Sequence, residues 1–267
     1  MNENNVKITL NTKMFVERIL RPISRISNKC VLNIRGKMLY SIALNDRTGS
    51  DQVVLMASCP VECDTDSLVL NIGDPSKYIQ VMSIQMKSLD SITLVYDGVS
   101  LKYNATKADL EKGVQIKNYR FMMMAEGGGS LVSYEKIESF IPSTTFEIDM
   151  NHFKSSATAI SAMTVSNANK IYINTVENNV IATVTDKTVD GSDCIDMDFA
   201  TSFKGNPLQD VIISTSIFPL IGCNLTPDSE ITVGVCEVSK ISKVVFFTVS
   251  SDSGNSKLKF CIPTKVS

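Results

Sequence analysis

Residues 7–26, KITLNTKMFVERILRPISRI, begin the structural unit that determines the fold. Residues 7–10 are predicted to form a short strand, and Asn11 is a favourable N-cap for the helical pattern that runs from Thr12 to about Ile26. Runs rich in β-branched and apolar residues follow, separated by turn residues, and predict strands at 30–34, 38–44 and 52–58. The order of elements is therefore βαβββ.

The same order occurs three more times along the chain. The second copy predicts strand 68–72, a helix that is capped by Asp74, begins at Pro75 and ends near 86, and strands 92–96, 101–105 and 114–121. The third predicts strand 146–150, helix 152–163 capped by Asn151, and strands 171–176, 180–185 and 194–203. The fourth predicts strand 211–214, helix 216–225 capped by Thr215, and strands 231–235, 244–249 and 258–262. We predict an α+β protein made of four βαβββ units.

The sequence AEGGGS at residues 125–130 separates the second unit from the third. Three consecutive glycines favour a flexible connector. We therefore predict an N-terminal domain at residues 1–124, a connector at 125–144 and a C-terminal domain at 145–267, with two units in each domain. The alternative is an unrelated α+β protein in which the repetition is coincidental.

The composition favours a folded protein in a reducing compartment. Its 267 residues are 43% hydrophobic and 20% charged, with a net charge of −2, which argues against a generally basic nucleic-acid binder but permits a local basic patch. No run approaches the roughly 20 apolar residues of a membrane helix, and the N-terminal sequence lacks the features of a signal peptide. The seven cysteines are scattered and mostly lie in apolar runs, so we expect mainly buried free thiols and a cytoplasmic location.

No group of residues predicts catalysis. The single histidine, His152, starts a predicted helix, and the glycines at 127–129 lack the lysine of a phosphate-binding loop. No serine-centred elbow or zinc-spaced pairs of Cys and His are found. Asp193, Asp196 and Asp198 alternate along a strand, where solvated or paired acids are more common than a cation site. We predict no enzymatic activity, no metal and no cofactor.

Basic residues lie opposite the apolar stripe of the first predicted helix. At about 100° per residue, its three arginines fall together on one side, although Pro22 is expected to bend the helix or end it early. The second and third helices also present lysines away from their buried stripes, whereas surface helices usually mix charges. These faces predict salt-sensitive, sequence-independent contact with the DNA backbone. The alternative is that they are ordinary solvated faces. The residues predicted to contact DNA are Arg18, Arg21, Arg25, Lys77, Lys87 and Lys154.

The fourfold βαβββ pattern with outward basic helices resembles the sliding clamps of DNA polymerases, especially phage clamps and proliferating cell nuclear antigen. The most specific local likeness is LKFCIPTKV at residues 258–266, which is similar to the last strand and proline-containing tail of the eukaryotic clamp. A second, weaker likeness covers residues 68–82. The chain departs from the pattern because the acidic C-terminal tail is missing and the fourth helix carries no basic residue.

The resemblance implies a two-domain clamp fold in which sheets form the outside of a ring and helices line its hole. It further implies a head-to-tail homotrimer around double-stranded DNA, a DNA polymerase and a clamp loader as partners, and the cytoplasm of a phage- or virus-infected cell. It also implies a groove for client proteins, meaning the polymerase and other proteins that the ring tethers. Carried over by position, this groove would involve Leu44, Tyr134, Ile137, Ile262 and Pro263.

In such a ring the last strand of the second unit pairs with the last strand of the third unit in the neighbouring subunit. The first of these strands is basic and the second is acidic, so opposite charges would favour this pairing. The alternative is that both are solvated edges, and the competing function is a clamp-fold viral transcription or processivity factor that binds DNA without closing into a ring. The residues predicted at the subunit interface are Ile116, Lys117, Arg120, Ile195, Asp196, Met197 and Asp198.

Overall fold

The computed structural model describes residues 5–45, 52–124, 133–164, 168–189, 191–239, 242–251 and 254–265. The chain divides into two compact units, one built mainly from residues up to Tyr134 and the other mainly from residues after it. The glycines at 127–129, which motivated the predicted connector, lie outside the described residues.

The first unit packs its longer helices on antiparallel strands. Its elements, in chain order, are β1 (Val6–Asn11), α1 (the consecutive segments Thr12–Met14, Phe15–Leu20 and Arg21–Ile26), β2 (Cys30–Arg35), β3 (Met38–Leu44), β4 (Val54–Pro60), β5 (Glu62–Cys63), β6 (Ser67–Gly73), α2 (Pro75–Gln85), β7 (Ser91–Tyr96), β8 (Ser100–Asn104), α3 (Lys107–Glu111) and β9 (Asn118–Met122). Its strands are ordered β5-β1-β7-β8-β9 in one sheet and β4-β3-β2-β6 in the other. The strand β9 therefore lies at a sheet edge.

The second unit repeats this arrangement. After the short helix α4 (Tyr134–Glu138), its elements are β10 (Thr144–Ile148), α5 (Met150–Thr164), β11 (Lys170–Val176), β12 (Asn179–Thr185), β13 (Cys194–Ala200), β14 (Lys204–Gly205), β15 (Val211–Ser214), α6 (Ile217–Gly222), β16 (Glu230–Ser239), β17 (Ser242–Ser251) and β18 (Ser256–Lys265). The strands are ordered β13-β12-β11-β15 and β14-β10-β16-β17-β18. The α+β class predicted from the sequence is confirmed, and β13 lies at an edge.

Side-chain capping explains where the long helices begin. The Asn11 side chain accepts a hydrogen bond from the Met14 N–H at 2.8 Å, and the Asp74 side chain accepts one from the Ser76 N–H at 2.8 Å. Both predicted caps are confirmed. The third cap was predicted wrongly: Asp149 accepts from the N–H of Asn151, so Asn151 is already part of α5.

The helix α1 extends to Ile26 as its pattern predicted and does not end early at Pro22. Its middle segment, Phe15–Leu20, is a π-helix, in which each N–H bonds five residues back. The Arg21 N–H donates to the Val16 carbonyl in this pattern, and the helix continues through Pro22 to Ile26. A proline has no N–H to donate, so a change of hydrogen-bond pattern beside it lets the helix continue.

A short helix was missed between β8 and β9. The Thr106 hydroxyl accepts from the Asp109 N–H while the Asp109 carboxylate accepts from the Thr106 N–H, a reciprocal capping box that starts α3. The strand predicted at 114–121 consequently begins only at Asn118. The helix predicted at 216–225 is also shorter, because α6 ends at Gly222.

Aromatic side chains form the core of the second unit. The rings of Phe153 on α5 and Phe218 on α6 stack with centroids 5.3 Å apart. Phe199 on β13 and Phe247 on β17 lie 5.7 and 6.1 Å from Phe218, so one ring joins both helices to both sheets of this unit. Such pairs stabilise a core by about 0.5–1.5 kcal/mol each beyond the burial of their surface. Among the described residues, no helix is long and apolar enough to cross a membrane.

Candidate DNA, subunit and client interfaces

The arginines of α1 do not share one exposed face. Arg25 is exposed and Arg21 is partly exposed, but Arg18 is only 6% exposed, so the prediction that Arg18 faces solvent is wrong. The π-helical segment explains the error, since each residue in its wider turn advances through a smaller angle than in an α-helix. The Arg21 guanidinium also lies 3.5 Å from the Glu17 carboxylate, so an acid adjoins the basic residues of this helix.

The helix α2 separates its polar and apolar sides. Lys77 and, just beyond the helix, Lys87 are exposed, whereas Tyr78 and Met82 are buried as predicted. The residue that sequence reasoning missed is Gln85, which is fully buried and donates from Nε2 to the Ile116 carbonyl at 3.0 Å. This bond ties the chain just ahead of β9 to the end of α2.

The helix α5 agrees with its predicted faces. Phe153 and Ile160 are buried, and Lys154 is exposed on the side that also carries Thr158 and Ser161. The Thr158 hydroxyl donates a hydrogen bond to the Lys154 carbonyl at 3.0 Å, so its O–H has a partner within the helix. Five of the six predicted DNA contacts, all except Arg18, are therefore at least partly accessible.

The edge strand β9 presents an aromatic side and a polar side. Tyr119 and Phe121 face α2: the Tyr119 hydroxyl lies 3.3 Å from the Met82 sulfur, and the Phe121 ring stacks on Tyr78 at 4.1 Å. Arg120 points to the opposite side, because side chains alternate along a strand. Ile116 and Lys117 were predicted within this strand but precede it, since β9 starts at Asn118.

Arg120 already has partners in its own chain. Its Nε donates to the Ser100 hydroxyl at 2.9 Å, and its guanidinium lies 3.8 Å from the Asp97 carboxylate. The bond from the Lys102 ammonium, together with backbone N–H donors of Ser100 and Val99, holds the pKa of Asp97 well below its usual value. Asp97 is therefore charged at neutral pH and partly neutralises the positive charge on this edge.

The edge strand β13 has the complementary arrangement. Ile195 and Met197 are half-buried on one side, and Asp196 and Asp198 are exposed on the other. The Thr183 hydroxyl on the neighbouring strand donates to Asp196 at 2.5 Å, which orients that carboxylate. Each of the two edge strands therefore has an apolar side and a charged side, with opposite charge on the two strands.

The end of the connector is fixed on the sheet of the second unit. The Lys259 ammonium lies 3.3 Å from the Ile137 carbonyl oxygen, 3.5 Å from the Glu138 carboxylate and 4.7 Å from the centre of the Phe246 ring. Phe140 packs on the same ring at 5.6 Å. A β-carbon at Gly234 would lie only 2.9 Å from Pro142, so this close approach requires glycine.

The predicted client-groove residues fall into different environments. Ile137 is 1% exposed and Ile262 is 4% exposed, so neither side chain offers much surface to a client, contrary to the prediction, whereas Pro263 is exposed. Tyr134 packs on Tyr40 at 4.4 Å in the first unit, where Leu44 is half-buried at the end of β3. Ile262 and Pro263 line a cavity of about 640 Å³ in the second unit, whose lining includes none of the other three.

This cavity, which we call the tail cavity, has both apolar and polar walls. Its apolar lining consists of Val53, Ile212, Ile213, Ile217, Ile262 and Pro263. Its polar lining includes Lys170 at the start of β11 and Ser214 at the end of β15, which are directly opposite each other. Sequence reasoning missed the β15 side because nothing in the local sequence shows that residues 212–214 lie beside the C-terminal strand. A volume of this size accommodates several side chains of a docked peptide.

The described cysteines only partly match the expectation of burial. Cys30, Cys59, Cys236 and Cys261 are buried, Cys63 is half-buried, and Cys194 and Cys223 are exposed. Burial raises the pKa of the Cys30 and Cys261 thiols to about 12. Among the described residues, no group of three or more His, Cys, Asp and Glu side chains is arranged to hold a metal ion.

Comparison with known proteins identifies the fold. No family model and no curated protein matches the sequence. The structure matches that of Archaeoglobus fulgidus PCNA, described with the C-terminal region of FEN-1 bound, with a TM-score of 0.69 and 11% identity over 98% of this chain and 99% of that one. It also matches the PCNA2–PCNA3 complex of Sulfolobus tokodaii, with a TM-score of 0.64 and 9% identity over 97% and 98% of the chains.

A bacterial protein shows the same likeness over part of its length. The structure of a putative DNA polymerase III β subunit from Eubacterium rectale matches with a TM-score of 0.66 and 10% identity, covering 97% of this chain and 65% of that one. Together these matches show that the chain has the two-domain sliding-clamp fold over nearly its whole length.

Proposed function

We propose that this protein is a DNA polymerase sliding clamp, a ring of three subunits that encircles duplex DNA and tethers the replicative polymerase and other clients. The observation that carries the proposal is the match of 98% of the chain to a solved clamp, combined with exposed lysines and arginines on helices α1, α2 and α5. In this proposal the protein tethers other enzymes and catalyses no reaction itself. The predicted domains, 1–124 and 145–267, would each supply two units to the ring.

Ring closure is proposed to use the two edge strands. The strand β9 of one subunit would pair with β13 of the next, because an exposed edge offers unpaired backbone N–H and carbonyl groups. Tyr119 and Phe121 would then adjoin Ile195 and Met197. Arg120 would adjoin the aspartates of β13, although its contact with Asp97 reduces the contribution of charge. Backbone pairing and apolar contact would therefore supply most of the stability, since an exposed ion pair contributes only about 0.2–1 kcal/mol.

DNA contact is proposed for the exposed basic side chains, namely Arg21, Arg25, Lys77, Lys87 and Lys154. Each side chain would contact a phosphate, and no contact with a base would be needed. The logarithm of affinity should fall with the logarithm of salt concentration by about 0.9 for each phosphate neutralised. Arg18 no longer belongs to this set, because it is buried.

The DNA interface is tested by removing three of these charges together. We expect the variant Arg25→Ala, Lys77→Ala, Lys154→Ala to bind a DNA duplex more weakly at low salt. The slope of the logarithm of affinity against the logarithm of salt concentration should also become shallower by about 3. Fluorescence anisotropy measures both. The matched control removes the same charge from exposed residues on other elements, and it should bind DNA as the wild type does. It carries Lys107→Ala, Lys112→Ala and Lys257→Ala. The proposed DNA-binding residues would be refuted if both variants lost the same DNA affinity or if neither lost any.

Client docking is proposed at the tail cavity, because a peptide with apolar anchors could place them against Pro263, which is exposed, and Ile212, which is half-buried. A truncation after Phe260 would remove the Pro263 wall of the cavity and should abolish stimulation of the polymerase. An open clamp-fold factor remains the competing function. Sedimentation equilibrium separates the two, since a clamp should approach three times the chain mass of 29.3 kDa as concentration rises.

A further inference from the structure

The tail cavity contains one charged side chain, Lys170, among the described residues that line it. Lys170 is exposed, and no described carboxylate lies within ion-pair distance of it. Lys170 also contributes to lowering the pKa of Asp186, which lies outside the lining, but the hydrogen bonds from Thr188 contribute most. The ammonium group of Lys170 is therefore available to a ligand in the cavity.

Two hydroxyl groups accompany this cation. Lys170 on β11 is directly opposite Ser214 on β15, so their β-carbons lie about 4.5–5.5 Å apart and their side chains share one face of the sheet. The Ser214 hydroxyl is 2.9 Å from that of Ser216, which also lines the cavity. Because one of these hydroxyls donates to the other, the ammonium and the remaining O–H are the donors available to the oxygen atoms of a carboxylate.

The opposite wall is apolar and well fixed. Ile262 is 4% exposed, and the hydroxyl of Thr264, two residues further along β18, donates to the Ile212 carbonyl. This bond holds the end of β18 beside β15. The cavity therefore combines a rigid apolar wall with a single positive site, and the sequence supplies no acid among the described lining residues that would repel an anion.

We propose that the tail cavity selects peptides that carry a carboxylate next to an apolar anchor, with the carboxylate bound by the Lys170 ammonium and by the one free O–H of the Ser214–Ser216 pair. This inference rests on the proposed client docking and specifies the chemistry of the client segment. The carboxylate is that of an Asp or Glu side chain of the peptide. A peptide C-terminus presents the same pair of oxygen atoms and is distinguished by the test. Apolar lining on the other side favours a peptide over a DNA phosphate as the occupant.

Three labelled peptides with the same Leu-Phe anchor test the proposal. The first carries Asp beside the anchor and a C-terminal amide, the second replaces Asp by Asn, and the third keeps Asn but ends in a free carboxylate directly after the anchor. We expect wild-type protein to bind the first about threefold to fivefold more tightly than the second in fluorescence anisotropy. Tighter binding of the third than of the first would contradict the proposal by assigning the site to a peptide C-terminus. The preference should shrink as salt is added.

Substitutions at Lys170 assign the preference to this residue. Lys170→Met should bind all three peptides equally, and Lys170→Glu should prefer a fourth peptide with Lys in place of Asp. Lys257→Met, an exposed lysine outside the lining, is the matched control and should keep the wild-type preference. Because Lys170 is exposed, both variants should melt at the wild-type temperature.

Several outcomes would overturn the inference. Equal binding of the three peptides by wild-type protein, or an unchanged preference in Lys170→Met, would show that no carboxylate is recognised there. Absence of binding by all peptides, or displacement of a bound peptide by a short DNA duplex, would exclude the cavity as an acidic-peptide site. None of these results bears on ring formation, which the sedimentation measurement decides separately.

Discussion

At the scale of single residues, burial decides what each arginine of α1 can do. Arg18 is 6% exposed and makes contacts with neighbouring groups, so its charge belongs to the interior. Arg25 is exposed, one and a half turns from the end of the π-helical segment, and its removal leaves the core intact. The two side chains should therefore differ in their effect on stability although they have the same chemistry.

We predict that Arg18→Met lowers the free energy of unfolding by about 1–3 kcal/mol, because the buried side chain of Arg18 would lose the contacts that it now makes. Arg25→Met should change it by less than about 0.5 kcal/mol. Urea denaturation followed by circular dichroism measures both free energies. An unchanged slope of the unfolding free energy against urea concentration would show that the folded and unfolded states of the variants are comparable with those of the wild type. Similar stabilities for the two variants would contradict the assigned burial.

Residue environments were predictable from the sequence where the helix is regular. The pattern of α5 gave the buried Phe153 and Ile160 and the exposed Lys154 correctly, because each residue there advances by the expected angle. Arg18 was misplaced because a π-helical segment changes that angle, and Pro22 was the only local signal of it. Gln85 was missed because its burial depends on the carbonyl of Ile116, which belongs to a distant segment.

At the scale of elements, the connector end and the C-terminal strand are linked by one side chain. Lys259 on β18 contacts the Ile137 carbonyl, the Glu138 carboxylate and the Phe246 ring, and its side chain is 17% exposed. The same strand carries Ile262 and Pro263 into the tail cavity. The position of α4 and the position of this strand should therefore depend on each other.

We predict that Lys259→Met loosens α4 and the residues that follow it. The methionine keeps most of the packing on Phe246 but loses the ion pair and the bond to the Ile137 carbonyl. Amide hydrogen exchange in residues 134–142 should become faster by about threefold to tenfold, while exchange in β16 and β17 stays as in the wild type. Lys243→Met, which removes a lysine paired with Glu237, serves as the control. Unchanged exchange in residues 134–142 would show that Lys259 does not hold the connector.

Some elements could have been predicted and others could not. The Thr106–Asp109 capping box was visible in the sequence and would have given α3 and the later start of β9. The tail cavity could not have been predicted, since its walls come from residues near 53, 170, 212–217 and 262–264, which only strand pairing brings together.

At the scale of the whole molecule, the fold was predictable because it is repetitive. Four βαβββ units with amphipathic helices leave few arrangements that bury every apolar face, and the structure matches solved clamps over nearly the whole chain. The strands at the sheet ends include β9 in the first unit and β13 in the second. A chain with two such edges can associate head to tail. Repeated head-to-tail contacts form a ring when the rotation from each subunit to the next returns to the first subunit.

Topological linkage to DNA tests the central claim most directly. Protein at high concentration is mixed with a nicked circular plasmid, fixed with a lysine-reactive crosslinker that joins subunits, and passed through a gel-filtration column in high salt, which removes electrostatic binding. A closed ring should remain on the intact circle and leave after a restriction enzyme linearises the plasmid. Protein crosslinked before the plasmid is added should never be retained. If the crosslinked protein leaves the intact circle as readily as the linear DNA, the chain does not encircle DNA.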